Sequence, residues 1–316
     1  MSVPTYFAYA RHALVAGLRH LEIQPGEIVG LPELICRDVL SSINAVEAVP
    51  RFYPVTPDLR PLSSGNATSA RIVLAVNYFG FPQDLNDFER LWPDAHLIED
   101  NAHGHLSADV DGRSLGYRTS VGITSFRKTI RVPEGAILNT TRPIDPALIP
   151  PVSDLSPGFA FQMRSLLRAF EAVSKIPTFE ISRIATRMMR QLLTGSPLPK
   201  STADSEFSLP ELSSVSQFSL NRLQGLKAQD EIARRRHLYE YFAQKFDQNS
   251  GRQVFSDLPA NCSPYGFPFY AERIPRKFLR YVRKQRCEVI RWPDLPEAVE
   301  VPAHHPYKNL YVVNFL

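Results

Sequence analysis

Residues 71–76 read Arg-Ile-Val-Leu-Ala-Val, an almost continuous apolar run in which no polar residue follows Arg71. A strand with one solvated face alternates polar and apolar positions. A run this short and continuous belongs in a sheet covered on both sides, the setting of parallel strands with helices on each face. The flanking segments supply those helices. Ala10, Ala13, Leu14, Ala16, Leu18 and Leu21 recur at helical spacing between Tyr9 and Leu21, and Gln24-Pro25-Gly26 ends the pattern with a turn. The spacing then predicts a strand over Glu27–Leu31, a helix through Val39, Leu40, Ile43, Ala45 and Val46, and a strand over Arg51–Val55. After the 71–76 run come a helix around Leu85–Trp92 and a strand over His96–Glu99. This alternation predicts a doubly wound, mainly parallel α/β sheet.

Past Ile137-Leu138 the pattern changes. Pro143, Pro146, Pro150, Pro151 and Pro157 interrupt the chain, and helical patterns follow over Phe161–Lys175 and Phe179–Leu193. The Ser- and Pro-rich stretch Ser196–Ser219 reads as an exposed connection, and a charged helix from Gln229 to Phe246 opens a second unit. Gly266–Tyr270, a helix near Pro275–Arg286 and Cys287–Arg291 predict a small α+β layer there. A chain of 316 residues exceeds what one core of about 250–300 residues holds. The expected division is a large domain over 1–220, with its sheet in 1–140 and a helical and linker part in 141–220, and a small domain over 221–316. No internal repeat is present.

Composition narrows the class. With 44% hydrophobic and 22% charged residues the chain can bury a core. A formal charge of +4, from 36 basic and 32 acidic residues, gives no electrostatic reason to expect nucleic acid or a membrane as partner. Cys36, Cys262 and Cys287 are too scattered for a disulfide framework or a cysteine zinc site. Neither a signal-peptide pattern nor an uninterrupted apolar stretch of about 18 residues occurs, so the expected location is the cytoplasm.

In a doubly wound sheet ligands bind beyond the carboxyl ends of the strands. The segments at that edge are Pro32–Cys36, Asn77–Gln83, Glu99–His103 and Thr124–Lys128. Asp100 follows an apolar strand, where an ionised carboxylate needs a positive partner. Lys128 lies in another such loop, and a lysine drawn into a dry cleft loses its proton and attacks carbonyls. An acid and an amine at one sheet edge are the minimal apparatus for pyridoxal phosphate, in which the lysine holds the aldehyde and the acid keeps the pyridine nitrogen protonated. Taken alone the pair leaves other readings open. Asp100 fits a helix N-cap, Lys128 a solvated lysine, and Asp100, His103 and His105 a partial metal cluster lacking further ligands.

Read in order, Arg11–Leu14, Pro25–Val29, Asn77–Pro82, Ile98–His103, Gly112–Gly116 and Ser125–Ala136 resemble the DegT/DnrJ/EryC1/StrS family of pyridoxal-phosphate sugar aminotransferases. The resemblance spans about residues 7–140 and, more weakly, the Arg-rich helix and Pro264–Pro296. It implies the fold-type I aminotransferase architecture, a homodimer with active sites at the subunit interface, and transfer of an amino group from an amino-acid donor to a keto-sugar nucleotide or similar ketone. It further implies Lys128 as the Schiff-base lysine and Asp100 as the partner of the pyridine nitrogen. His103 falls where the family contacts the ring or its 3-hydroxyl, and Ser125 where it binds phosphate. Ala10 and Arg11 fall at the helix-opening turn that holds the phosphate, and Cys36, or its neighbour Ile35, where relatives place an aromatic ring over the pyridine. No metal is implied.

Relative to the family the chain starts close to the phosphate turn, ends at Val312–Leu316, and is two residues shorter between Ser125 and Lys128 than the sugar aminotransferases. The shortened ends, with the unstacked position at Cys36, motivate an alternative, a non-catalytic binding or regulatory protein on the same fold. A dehydratase using the same cofactor fits less well, since those relatives replace the lysine and Lys128 is present. Arg234, Arg235 and Arg236 read as a solvated or salt-bridged helix face, His304-His305 as an exposed pair, and Trp292 as small-domain core rather than a substrate wall.

Overall fold

A computed structural model describes residues 3–62, 69–151, 157–174, 176, 178–194, 202–292, 294–300 and 306–316. His304 and His305 lie outside these. The first sheet is built from β1 (Val3–Phe7), β2 (Ile28–Pro32), β3 (Val49–Tyr53), β4 (Ile72–Val76), β5 (His96–Asn101), β6 (Val121–Thr124) and β7 (Ala136–Thr140), in the order β1-β7-β6-β5-β4-β2-β3. The pairs from β3 across to β6 are parallel, whereas β7 runs antiparallel to both β6 and β1. The expected mainly parallel sheet is therefore present, and every residue of β4 is buried.

Helices α1 (Ala10–His20), α2 (Leu40–Asn44) and α3 (Leu85–Leu91) cover the sheet. Helix α1 is buried on all sides through its middle, from His12 to Leu18. Asp84 caps α3 by accepting from the Asn86 amide at 3.0 Å. Strand β3 begins two residues before the segment expected from Arg51–Val55. The sequence pattern predicts no strand ahead of Tyr9, yet β1 closes the sheet there: Pro4 lacks an amide donor, and the strand sits at the edge, where that lack is tolerated.

After β7 come α4 (Phe159–Ser174) and α5 (Thr178–Thr194), packed against each other as a hairpin. Then follow α6 (Gln217–Gln224) and the long α7 (Ala228–Lys245), with Asp230 and Glu231 in its first turn and Lys245 in its last, as the helix dipole favours. The second sheet is antiparallel, with β8 (Arg252–Gln253), β9 (Gly266–Tyr270), β10 (Glu288–Arg291) and β11 (Leu310–Asn314) in the order β10-β11-β9-β8, and α8 (Arg276–Lys284) packs on it. Phe242, Phe246, Phe267, Phe269 and Phe278 form its aromatic core.

The exposed connection expected over Ser196–Ser219 is corrected at its far end. Ser214, Val215, Ser216 and Ser219 are buried. The hydroxyls of Ser216 and Ser219 both donate to the Glu134 carboxylate, which docks this segment on the loop between β6 and β7. Of the solvated or salt-bridged arginine face, the salt bridges are present, since Arg234 and Arg235 both pair with Glu231. The three do not share one exposed face, however: Arg235 is 1% exposed and reaches the backbone carbonyls of Thr129, Pro264 and Tyr265.

Candidate active site

Asp100 sits next to last in β5, paired in register with Val76 of β4 and Ile123 of β6, so parallel pairing places it at the carboxyl edge of the sheet. Its carboxylate accepts from the Ala102 amide at 2.9 Å in a local turn, and no helix starts there, so the N-cap alternative does not apply. Burial raises its pKa, against the opposing pull of that amide and of Lys128. Such an acid is stabilised by any cation or N–H donor that comes within hydrogen-bonding reach.

Lys128 ends a single helical turn, Phe126–Lys128, just after β6. The turn is fixed by Gly135, whose amide donates to the Ala8 carbonyl at 2.7 Å and whose carbonyl accepts from the Arg127 amide and the Ser125 hydroxyl. Gly135 has φ +150°, and a Cβ there would lie 2.2 Å from the Phe126 ring, so only glycine fits. The Lys128 amine lies 3.2 Å from Nε2 of His103. Burial, and then the neighbouring Arg127 charge, lower its pKa, which favours the neutral nucleophilic amine.

His103 is buried, and desolvation followed by the Lys128 charge holds it well below its usual pKa, so it presents a neutral ring. Its ring stacks on Phe79 with an 8° interplanar angle and packs against Tyr265 and Trp292. Behind Phe79 a buried ion pair fixes the loop after β4. Glu99 accepts from Arg118 and from the Asn77 amide, each at 2.7 Å, and Arg118 also binds the Gln83 carbonyl. Each charge is thus satisfied by hydrogen bonds as well as by its partner, as burial requires.

One cleft is lined by Asp100, His103, Lys128, Ser125, Ala10, Arg11 and Cys36, so the structure brings all the expected site residues together. Helix α1 opens toward it with no side chain capping its first turn, which leaves amide N–H groups and the positive end of the dipole facing the cleft. The Ser125 hydroxyl makes only a long bond of 3.4 Å to the Gly135 carbonyl, weak enough to yield to a better acceptor in the cleft. Cys36 lines the wall beside Ile35, and burial raises its thiol pKa.

Trp292 departs from the small-domain core position expected of it. It lines this same cleft from the end of β10, with the Lys128 amine 6.0 Å from its ring centroid. No local signal marks it, because it reaches the cleft through the packing of the second sheet. A wider groove between Asp58 and Arg252 carries no comparable acid–amine pair and spends those two charges on each other at 2.6 Å. Among the described residues no group of three or more His, Cys, Asp or Glu side chains converges as a metal site would, and no helix is long and apolar enough to cross a membrane.

An acid and an amine on adjacent loops, beside an uncapped helix start, are the groups expected around a phosphorylated pyridine aldehyde. Residues 7–146 match the model of the DegT/DnrJ/EryC1/StrS aminotransferase family. The DegT/DnrJ/EryC1/StrS resemblance read from the sequence therefore holds over the segment that carries every expected site residue. No curated protein matches the chain.

Solved structures extend the likeness to the whole chain. The aminotransferase TlmJ from Streptoalloteichus hindustanus is 20% identical with a TM-score of 0.59, covering 98% of this chain and 80% of that one. Helicobacter pylori PseC, an aminotransferase of pseudoaminic acid biosynthesis, is 14% identical with a TM-score of 0.61, over 98% and 81%. The E. coli GDP-4-keto-6-deoxy-D-mannose-3-dehydratase, solved with bound hydrated PLP, is 17% identical with a TM-score of 0.59, over 99% and 83%. At these identities they establish the fold, which is the fold-type I architecture shared by DegT/DnrJ/EryC1/StrS aminotransferases.

Proposed function

We propose that the chain is a pyridoxal-phosphate-dependent aminotransferase that moves an amino group from an amino-acid donor to a keto-sugar nucleotide or a similar ketone. The observation that carries this reading is the convergence of Lys128, Asp100 and His103 on the cleft at the uncapped start of α1. When bound, pyridoxal phosphate supplies an aldehyde that takes up amines and a pyridine ring that withdraws electrons.

Lys128 would hold the aldehyde carbon through Nζ. When free, the same amine would hold a proton at Nζ and pass it on as general acid and base. Its lowered pKa keeps it competent as the base. The Asp100 carboxylate would accept a hydrogen bond from a protonated pyridine nitrogen, the cationic partner that its buried position calls for. Neutral His103, held by Phe79 and Tyr265, shares a hydrogen bond with the Lys128 amine through Nε2, its tautomer deciding which of the two donates.

The Ala10 and Arg11 amides, the Arg11 guanidinium and the Ser125 hydroxyl suit the phosphate. Ile35 and Cys36 pack one wall, a thinner stack than an aromatic ring gives, and Trp292 supplies aromatic surface nearby. The presence of a lysine at position 128 favours amino transfer over dehydration, and the retained acid–amine pair speaks against a purely binding role. The same reading divides the chain into a large domain, 1–220, and a small one, 221–316, and makes it a cytoplasmic homodimer.

The test is optical and covalent. Purified protein given pyridoxal phosphate should turn yellow, borohydride should fix the label on the peptide containing Lys128, and Lys128→Ala should take up none covalently. Glutamate or glutamine should bleach the colour. A protein that stays colourless with excess cofactor supports the binding-protein alternative, and colour that no amino acid bleaches rules out amino transfer from those donors.

A further inference from the structure

More than half of the large apolar side chains that the described residues expose fall between Phe159 and Leu193, on the hairpin of α4 and α5. Monomers rarely expose a continuous apolar patch beyond about 300–600 Å². Exposed side chains at about 100 Å² each bring this face to roughly 1,000 Å², more than the ~800 Å² that each partner of a standard interface buries.

The pattern on that face identifies its occupant. On α4 the exposed residues are Phe159, Met163, Leu166, Phe170 and Val173, in steps of four, three, four and three. On α5 Ile181, Ala185, Met188 and Leu192 follow in steps of four, three and four, and Met189 and Leu193, exposed as well, widen the stripe by one position. A repeat averaging 3.5 residues is the seam along which one helix packs on another. The ion-paired side chains turn the other way. Arg183 and Arg187 both bind Glu288 in β10, and Glu171 pairs with Arg286 at 3.6 Å. A helix lying on an anionic bilayer keeps its cations free along the margin of the apolar face, whereas Arg183 and Arg187 are engaged with the protein body.

We propose that the outward face of the α4–α5 hairpin pairs with the same hairpin of a second copy of this chain, forming a four-helix bundle about a two-fold axis. Both helices carry a seam, so the surface is self-complementary, as an isologous contact requires. The inference stands apart from the cofactor chemistry, and its test reads mass rather than colour.

Sedimentation equilibrium of the full chain is compared with that of the double variant Leu166→Glu and Leu192→Glu, with circular dichroism as the check on folding. Both positions are solvent-facing within one copy, so the fold is retained. The expected result is a halving of mass, from dimer to monomer, or from tetramer to dimer if the copies also pair across the active-site cleft. In the unaltered protein, amide protection in α4 and α5 should fall on dilution. A wild-type monomer, an unchanged mass in the variant, or concentration-independent protection overturns the proposal. So does flotation with phosphatidylserine vesicles that the variant loses while its mass stays the same.

Discussion

Replacing Arg235 with methionine tests how the Lys128 loop is held against the second sheet. The Arg235 guanidinium donates to Glu231 at 2.6 Å, to the Thr129 carbonyl at 2.9 Å and, through a third nitrogen, to the carbonyls of Pro264 and Tyr265 at 3.2 and 3.4 Å. Methionine keeps most of the volume, so the loss measures polar contacts rather than a cavity. Glu231 retains Arg234 at 2.7 and 2.8 Å and is not orphaned. The Thr129 and Pro264 carbonyls lose their donors, while the Tyr265 carbonyl keeps the Phe315 amide at 3.4 Å; at about 1–3 kcal/mol for each buried unsatisfied acceptor the expected destabilisation is about 4 kcal/mol. That falls within the ~3–5 kcal/mol seen when one member of a buried ionic contact is removed.

Urea denaturation followed by far- and near-ultraviolet circular dichroism, with coincident transitions, supplies the measurement. Hydrogen exchange should rise over residues 125–132, because Thr129 directly follows Lys128. Arg235→Lys, with the charge but without the planar fork, should lie between. A loss below about 1 kcal/mol for Arg235→Met would refute the reasoning, since no combination of two stranded buried carbonyls costs so little.

Acid should weaken the ligand-free protein through its buried histidines. Burial, then Arg235, lowers the His105 pKa to about 4, and His12 and His103 are shifted the same way. Because the folded values lie below 6.5, the unfolded chain binds protons first and stability falls as pH drops from 6.5 toward 4. His105 alone accounts for about 2 kcal/mol by pH 5, and His105→Gln should flatten the melting-temperature profile over that range. Gly122→Ala should cost more than about 3 kcal/mol in thermal or urea melts, beyond ordinary overpacking, because the Cβ, on the buried strand β6, would fall 2.0 Å from the carbonyl oxygen of Gly116, a backbone atom of the neighbouring turn. Wild-type stability in that variant would mean that β6 and the Gly116 turn can separate.

The sheet was legible because burial on both faces leaves its mark residue by residue. The 71–76 run has no alternation, and β4 has no exposed position. Asp100 and Lys128 were legible because parallel topology sends strand ends to one edge and the family resemblance assigned roles to them. What escaped depends on distant partners. Three consecutive arginines on a helix point about 100° apart, so they cannot share an environment, but composition does not say which turns inward. In the fold Arg235 does, while Arg236 reaches the carbonyls of Pro259 and Cys262. Ser216 and Ser219 look like linker residues until Glu134, some 80 positions earlier, is seen to bind both. Trp292 enters the cleft through a second sheet whose docking no local pattern encodes.

The chain has two tryptophans, and they occupy unlike settings. Trp92 is packed with Tyr53 and Phe88 in the interior of the first sheet's cover, whereas Trp292 stands beside the Lys128 amine. Indole emission from Trp292 will be quenched by energy transfer when a visible-absorbing molecule enters the cleft, while Trp92 contributes a background set mainly by distance. The protein therefore carries a built-in optical gauge of occupancy, and ligand titrations need no added dye.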